Sequence, residues 1–257
     1  MKIPNSTIAF LEKYFDKIFV ITLPRAADRQ EKVKERLEGL TYEFFYGVDK
    51  HTLSWEKVNE EGIYDDKKAR HLNRYSKGMI LGHIACSLSH RKLYEHIVAM
   101  NYNRVLIFED DAVPLMDTDH ILPDSVKELP EDWEVVYFGY DRNETATPAL
   151  KRKQAFYKVL SYLRLMKMTP LMVSNLLPKP YSAHLQQAGF HDLLHAYGIS
   201  LSACKKLIPA QTPVVFNADP LISHLVMNGE IRAFITRKKL FTQEQFLDPA
   251  HRSFIHH

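Results

Sequence analysis

Three consecutive acids, Glu109-Asp110-Asp111, close an otherwise apolar run, Val105-Leu106-Ile107-Phe108. A stretch that is apolar at every position is the mark of a strand covered on both faces. Side chains on a strand alternate, so Glu109 and Asp111 are expected to point together and Asp110 away. Carboxylates crowded against buried apolar residues repel one another and lose hydration unless a cation is supplied. Mg2+ or Mn2+ meets that need, because such ions take a few carboxylates and complete their shells with phosphate oxygens and water. The triplet therefore predicts a divalent-metal site for a phosphorylated ligand, with Glu109 and Asp111 as metal ligands. Acids of this kind also shape ordinary turns. Their place at the carboxyl end of a buried strand, where open α/β sheets gather ligands, favours the metal. A second acidic string, Asp117-Thr118-Asp119, follows no apolar strand and reads as a helix cap or solvated turn.

Basic groups that would face such a ligand follow the first apolar run. Lys17-Ile18-Phe19-Val20-Ile21-Thr22-Leu23 reads as a buried strand ended by Pro24, with Arg25 and Arg29 just beyond. A guanidinium matches diphosphate oxygens in a two-pronged geometry; surface ion pairing is the other use open to these arginines. Asp49 stands after an aromatic strand at residues 42–46, placed either to accept hydrogen bonds from a ribose or base or to form its turn. By position alone His90 reads as a hydrogen-bonded core histidine and Cys86 as core packing. His83 and His90 are seven apart, a loose spacing for two metal ligands, so no zinc site is expected.

The elements that must position these residues follow an α/β order. Asp28 can cap a helix over residues 30–37, stopped by Gly39, between the strands at 17–23 and 42–46. Strand, helix, strand is the opening of a parallel sheet. Residues 55–73 are charged and irregular, a solvated loop with one or two short helical turns. From Gly78 a helix carries Ile84, Leu88, Tyr94 and Val98 on one face and leads into the acidic strand. Trp133-Glu134-Val135-Val136-Tyr137-Phe138-Gly139 is a further buried strand, with Tyr140 and Asp141 at its exit. Residues 193–207 join Ala196-Tyr197-Gly198-Ile199 to a small-residue helix, and Asp219 opens a last helix through Val226. The expectation is one α/β domain over residues 1–257, with a mostly parallel central sheet flanked by helices.

A chain of 257 residues that is 46% hydrophobic can bury one full core. Lys and Arg total 34 against 31 Asp and Glu, and a net charge of +3 carries no nucleic-acid signature. Two cysteines without ligand spacing suit a reducing compartment, so a cytoplasmic location is expected. The short apolar pieces near the amino terminus are broken by Glu12, Lys13, Asp16 and Lys17, which gives no signal-peptide core. No stretch reaches the ~20 apolar residues of a membrane span.

Five segments then occur in a telling order: Phe19-Val20-Ile21-Thr22-Leu23-Pro24-Arg25 with Asp28-Arg29, Gly82-His83-Ile84-Ala85-Cys86-Ser87-Leu88-Ser89-His90-Arg91, Leu106-Ile107-Phe108-Glu109-Asp110-Asp111-Ala112, Ala196-Tyr197-Gly198-Ile199-Ser200 and Ala218-Asp219. They resemble the first strand and basic donor loop, the G-E-I-G-C-x-x-S-H helix, the L-I-L-E-D-D-A strand, the A-Y-V-I-S segment and the V-D of glycosyltransferase family 25. That family holds bacterial lipooligosaccharide galactosyltransferases and the related collagen galactosyltransferases. The likeness runs over residues 17–230, poorly between 143 and 190. Two positions depart from it: the family's Glu is His83 here, and its second Gly is Ala85.

The resemblance implies a GT-A type fold, a UDP-sugar donor, a D-x-D-type site for Mn2+ or Mg2+, and inversion at the anomeric carbon. It further implies transfer of a hexose, galactose by family analogy, to a glycan or lipid-linked oligosaccharide in lipopolysaccharide or lipooligosaccharide biosynthesis. Pro24, Arg25, Arg29, Asp49, His90 and Asp110 are then the expected donor contacts. Inversion needs a base for the acceptor hydroxyl. Asp219, following the apolar Val214-Val215-Phe216, is the first candidate, with capping of its own helix the equal alternative. Asp141 is the reserve. A sugar nucleotidyltransferase would need a glycine-rich phosphate loop where this chain has Pro24-Arg25-Ala26-Ala27. A non-catalytic glycan- or nucleotide-sugar-binding domain of the same fold is the other alternative.

Residues 145–190 contain no Asp or Glu. Lys151, Arg152, Lys153, Lys158, Arg164, Lys167 and Lys179 interleave there with Phe156, Tyr157, Leu160, Leu163, Leu165 and Met166. Such a basic amphipathic insertion suits peripheral contact with the inner face of a membrane or grip on a phosphorylated lipid-linked acceptor. A solvated helical cover over the core is the alternative.

Overall fold

The computed structural model describes residues 3–72, 77–115 and 118–248. Its strands are β1 (Lys17–Thr22), β2 (Glu43–Tyr46), β3 (Arg104–Glu109), β4 (Ala112–Pro114), β5 (Val135–Asp141), β6 (Lys179–Pro180), β7 (Leu185–Gln187), β8 (Asp192–Ser200), β9 (Ala233–Thr236) and β10 (Phe241–Gln243). Its helices are α1 (Asn5–Tyr14), α2 (Ala27–Arg36), α3 (Trp55–Glu60), α4 (Asp66–Leu72), α5 (Leu81–Met100), α6 (Thr118–Lys127), α7 (Pro148–Tyr162), α8 (Pro170–Ser174), α9 (Leu201–Ala210) and α10 (Ala218–Met227). Asp117 of the second acidic string lies outside the described residues.

Eight strands form one sheet in the order β2-β1-β3-β8-β5-β9-β7-β6, while β4 and β10 pair separately. β1 runs parallel to β2 and β3, and β5 parallel to β9. β8 is antiparallel to both β3 and β5, and the β7 pairings with β6 and β9 are also antiparallel. The sheet is therefore mixed, not mostly parallel as expected. An all-apolar strand is buried on both faces whichever way its neighbours run, so local composition carries no direction.

Alternation along β3 feeds two cores. Val105 and Ile107 pack on one face with Leu93, Tyr94 and Ile97 of α5 and with residues of α9 and α10. Leu106 and Phe108 pack on the other with Leu11 of α1, Val33 of α2 and Leu122 of α6. The amino-terminal segment, unassigned from sequence, is α1, which buries Thr7, Ile8 and Leu11. Asp28 does not cap α2: Ala26 holds that position without a side-chain bond, and Asp28 sits in the first turn. The segment at 145–190 is also not one insertion, because β6 and β7 complete the sheet edge and Leu185 is fully buried, leaving α7 and α8 outside the sheet.

Gly198 is central to this packing. A Cβ there would lie 2.8 Å from Val136 Cγ1 and 3.1 Å from Phe15 Cε1. Gly198→Ala is expected to cost about 1–3 kcal/mol through overpacking. The check is a lower melting temperature with an unchanged far-UV circular dichroism spectrum.

Candidate active site

β1 and β3 are parallel neighbours with Ile21 opposite Glu109, so their carboxyl ends abut. β3 stops at Glu109 and the chain turns through Asp110 and Asp111 into β4. Strand alternation stops with it, and all three carboxylates line one pocket of about 290 Å3. Asp110 thus does not point away as expected. It accepts hydrogen bonds from Thr22 Oγ1 at 2.8 Å and Arg29 Nη1 at 2.8 Å. Glu109 Oε1 lies 3.4 Å from His90 Nε2, and its Oε2 accepts from Gln243 Nε2 at 3.2 Å. Asp111 Oδ1 is buried with no hydrogen-bond partner among the described residues, while its backbone carbonyl accepts from the Glu244 N–H at 2.9 Å.

These surroundings separate the acids. Burial, then the charges of Glu109 and Asp110, pushes the Asp111 carboxyl well above the ordinary range. Burial also raises Asp110, although Arg29 and Thr22 oppose it. Burial acts upward on Glu109 too, but the His90 hydrogen bond and the charges of His90 and His195 outweigh it and hold this acid low. One carboxylate is therefore kept ionised beside two that resist ionisation, the arrangement of a site that gains from added positive charge.

α5 forms a second wall. His90 is buried, with Nδ1 2.9 Å from the Tyr197 hydroxyl, which is 3.1 Å from that of Tyr94. Burial, with Glu109, Asp219 and Asp111 nearby, drives the Cys86 thiol far above its usual range, so it lines the pocket as a protonated, non-nucleophilic group. Ser89 Oγ accepts from the Val48 N–H at 2.8 Å and donates to the Ala85 carbonyl at 2.8 Å. Gly47 permits that approach, since a Cβ there would meet Ser89 Oγ at 2.6 Å.

Arg25 and Arg29 both line the pocket; Pro24 is exposed and is not on its wall. Arg25 is paired with Asp49 through Nε and, at 3.4 Å, through Nη2. Asp49 also accepts the His51 N–H at 3.1 Å, capping a short 3-10 turn at Lys50–Thr52. Its partial burial acts upward, but the bonds from Arg25 and His51 outweigh that and hold the carboxyl below its ordinary range. Asp49 is thus both a turn residue and an arginine partner at the pocket rim.

Asp219 does not cap α10, because Asn217 occupies the cap position. Its Oδ2 accepts the Leu193 N–H at 2.9 Å, and Leu193, with φ of 68°, lines the pocket in the left-handed region. Burial, reinforced by the charges of Asp192 and Glu109, raises Asp219 to about 6. Asp141 stands off the pocket wall, 3.2 Å from Lys239 Nζ, which also reaches Glu144 at 2.6 Å.

The family model described as glycosyltransferase family 25 (LPS biosynthesis protein) matches residues 15–222. The chain belongs to glycosyltransferase family 25. A glycosyltransferase 25 family member from Aedes aegypti is 31% identical over 138 residues, covering 49% of this chain and 21% of that protein. Human procollagen galactosyltransferase 2 is 25% identical over 252 residues, 86% of this chain and 34% of the relative. The human inactive glycosyltransferase 25 family member 3 is 29% identical over 131 residues, 49% of this chain and 22% of the relative. The chain spans 21% to 34% of the length of these relatives.

Against the family 25 motifs, His83 in place of Glu is off the pocket wall, whereas Ala85 is on it. Gly198, where the motif has Val, gives its space to Phe15 and Val136. Thr22, Ser89, Gln243 and Gln245 line the pocket without having been singled out in the sequence. Thr22 and Ser89 at least lay inside matched motifs. Gln243 and Gln245 fall beyond the matched residues and carry no local signal.

The titration of Asp219 is measurable through stability. Its folded value of about 6 lies above the ordinary 3.8, so the folded chain holds this proton more tightly. That contribution is fully present below about pH 4 and is lost as pH rises through about 6. Asp219→Asn keeps an oxygen for the Leu193 N–H and removes the titration. In urea melts the stability of wild type relative to Asp219→Asn should fall across that window and stay flat above pH 7. A difference constant with pH refutes the assignment.

Proposed function

We propose that this chain is an inverting, divalent-metal-dependent glycosyltransferase of GT-A type. In this reading it moves a hexose, galactose first, from a UDP-sugar to a glycan or lipid-linked oligosaccharide in lipopolysaccharide or lipooligosaccharide assembly. The observation that carries it is the acid-lined pocket at the β3 end, flanked by Arg25 and Arg29. Guanidinium groups take phosphate oxygens, and carboxylates crowded with an unpartnered buried oxygen on Asp111 suit a cation. Among the described residues no group of three or more His, Cys, Asp or Glu is disposed to hold an ion unaided. Glu109 and Asp111 would hold Mn2+ or Mg2+ together with diphosphate oxygens and water. Bound there, the ion would supply positive charge against the leaving diphosphate.

The chain's own residues divide the remaining work. Arg29 stays on Asp110 and holds positive charge at the pocket wall, while Arg25 exchanges Asp49 for a phosphate oxygen. His90, oriented by Tyr197, fixes Glu109. Asp219 takes the proton of the acceptor hydroxyl as that oxygen bonds to the anomeric carbon. The bond from that carbon to the diphosphate oxygen breaks, and its electrons leave on UDP. A carboxyl at about 6 suits a base working near neutral pH. Asp219 must be uncovered by a shift of Leu193, whose left-handed backbone stores the strain for such a movement. The galactose choice is supported by the procollagen galactosyltransferase relative, and the lipopolysaccharide setting by the family description.

The relative named inactive favours one second reading, a nucleotide-sugar-binding domain without turnover. A panel of UDP-sugars with and without Mn2+ separates the two. The transferase reading expects a Mn2+-dependent rise in melting temperature together with slow UDP release in the absence of acceptor. Asp111→Asn should lose the Mn2+-dependent part of the rise and keep its circular dichroism. Asp219→Asn should keep donor binding and lose about 100-fold or more in turnover. Binding without UDP release supports the second reading, and a rise independent of Mn2+ removes Asp111 from the proposed site.

A further inference from the structure

Helix α7 carries an apolar stripe on its outward side, besides the half-buried Leu150, Tyr157 and Leu160. Of its 15 residues only Ser161 is buried. Phe156, Val159 and Leu163 recur three and four residues apart and share one face; they are 60%, 56% and 62% exposed, and Tyr162 and Leu165 extend the patch at 71% and 69%. The opposite face, toward the protein, makes polar contacts. Gln154 Nε2 donates to the Val173 carbonyl at 2.7 Å, and Ser161 Oγ to the Met168 carbonyl at 2.6 Å. A helix that merely covered a core would have the reverse pattern.

The charges around this stripe are of one sign. At the α-helical period Arg152 stands on the stripe itself, one turn before Phe156, with Lys151 to one side and Lys153 to the other, all exposed. Residues 145–190 include no acid. Beyond the helix, Lys167 Nζ donates to the Arg70 carbonyl at 2.8 Å, and among the described residues the cleft at that contact is lined by Lys67, Lys68, Arg70, His71 and Lys167 with the acid Asp65. The basic footprint therefore spreads sideways from α7 onto α4. Acid-free basic charge around an exposed apolar stripe complements an anionic lipid surface.

We propose that α7 lies in the interface of an anionic bilayer, independently of any transferase activity. Phe156, Val159 and Leu163 enter the boundary between headgroups and acyl chains. The lysines keep their stems along that boundary and their ammonium groups at the phosphates. The α4 cleft takes a neighbouring headgroup. Attachment of this kind is reversible and weakens with salt.

The full chain is tested by sedimentation with phosphatidylcholine vesicles, with and without phosphatidylglycerol, across a salt series. Pelleting only with phosphatidylglycerol, and less at high salt, is expected. Phe156→Glu combined with Leu163→Glu should weaken vesicle binding by roughly tenfold or more with the circular dichroism spectrum unchanged. Phe156→Trp should show a blue-shifted emission with anionic vesicles that brominated lipid quenches. No pelleting at low salt, or equal pelleting by the double variant, overturns the proposal. So does a dimer in solution that the double variant dissociates while vesicles fail to pellet the wild type, because α7 would then be covered by a second copy.

Discussion

Burying a carboxylate costs several kcal/mol unless hydrogen bonds or positive charge accompany it, and the turn after β3 gathers three of them around one pocket. The surrounding architecture answers that cost from separate parts of the chain. Thr22 at the end of β1 and Arg29 of α2 meet Asp110, His90 of α5 and Gln243 of β10 meet Glu109, and the Glu244 N–H holds the Asp111 carbonyl. What is left unanswered is Asp111 Oδ1, buried without a hydrogen-bond partner among the described residues.

The sheet order makes these contacts possible. β1 beside β3 in parallel brings the basic loop and the acidic turn to the same edge, and antiparallel β8 crosses the other side of β3, where Tyr197 orients His90. α2 is locked to the far end through Lys32 and Arg36, both paired with Glu244. Two layers of helices bury opposite faces of β3, so its carboxyl end has little freedom to relax.

Much of this was readable in local pattern. An apolar run ending in acids marked β3, and helical spacing marked α5, because both depend on neighbours within a few residues. The facing of Asp110 departs from strand alternation because one residue decides whether a strand has ended. Sheet direction, and the pairing of Asp141 with Lys239 98 residues later, depend on residues distant in sequence and leave no local trace. Family 25 likeness extended the reading to Asp219 and His90, yet Thr22 and Gln243 escaped because Thr and Gln are common polar residues without a distinguishing neighbourhood. Gly198 and Gly47 revealed their purpose only once Phe15, Val136 and Ser89 were seen against them.

The small β4 and β10 pair carries a consequence of timing. β10 supplies Gln243 and the adjoining Glu244 N–H, more than 130 residues after the acids they steady. During synthesis the acidic turn must wait, with its carboxylates still hydrated, until β10 has left the ribosome. The pocket is thus completed by a strand translated long after the acids, and an emerging polypeptide that stops short of β10 lacks the partners of Glu109 and of the Asp111 carbonyl.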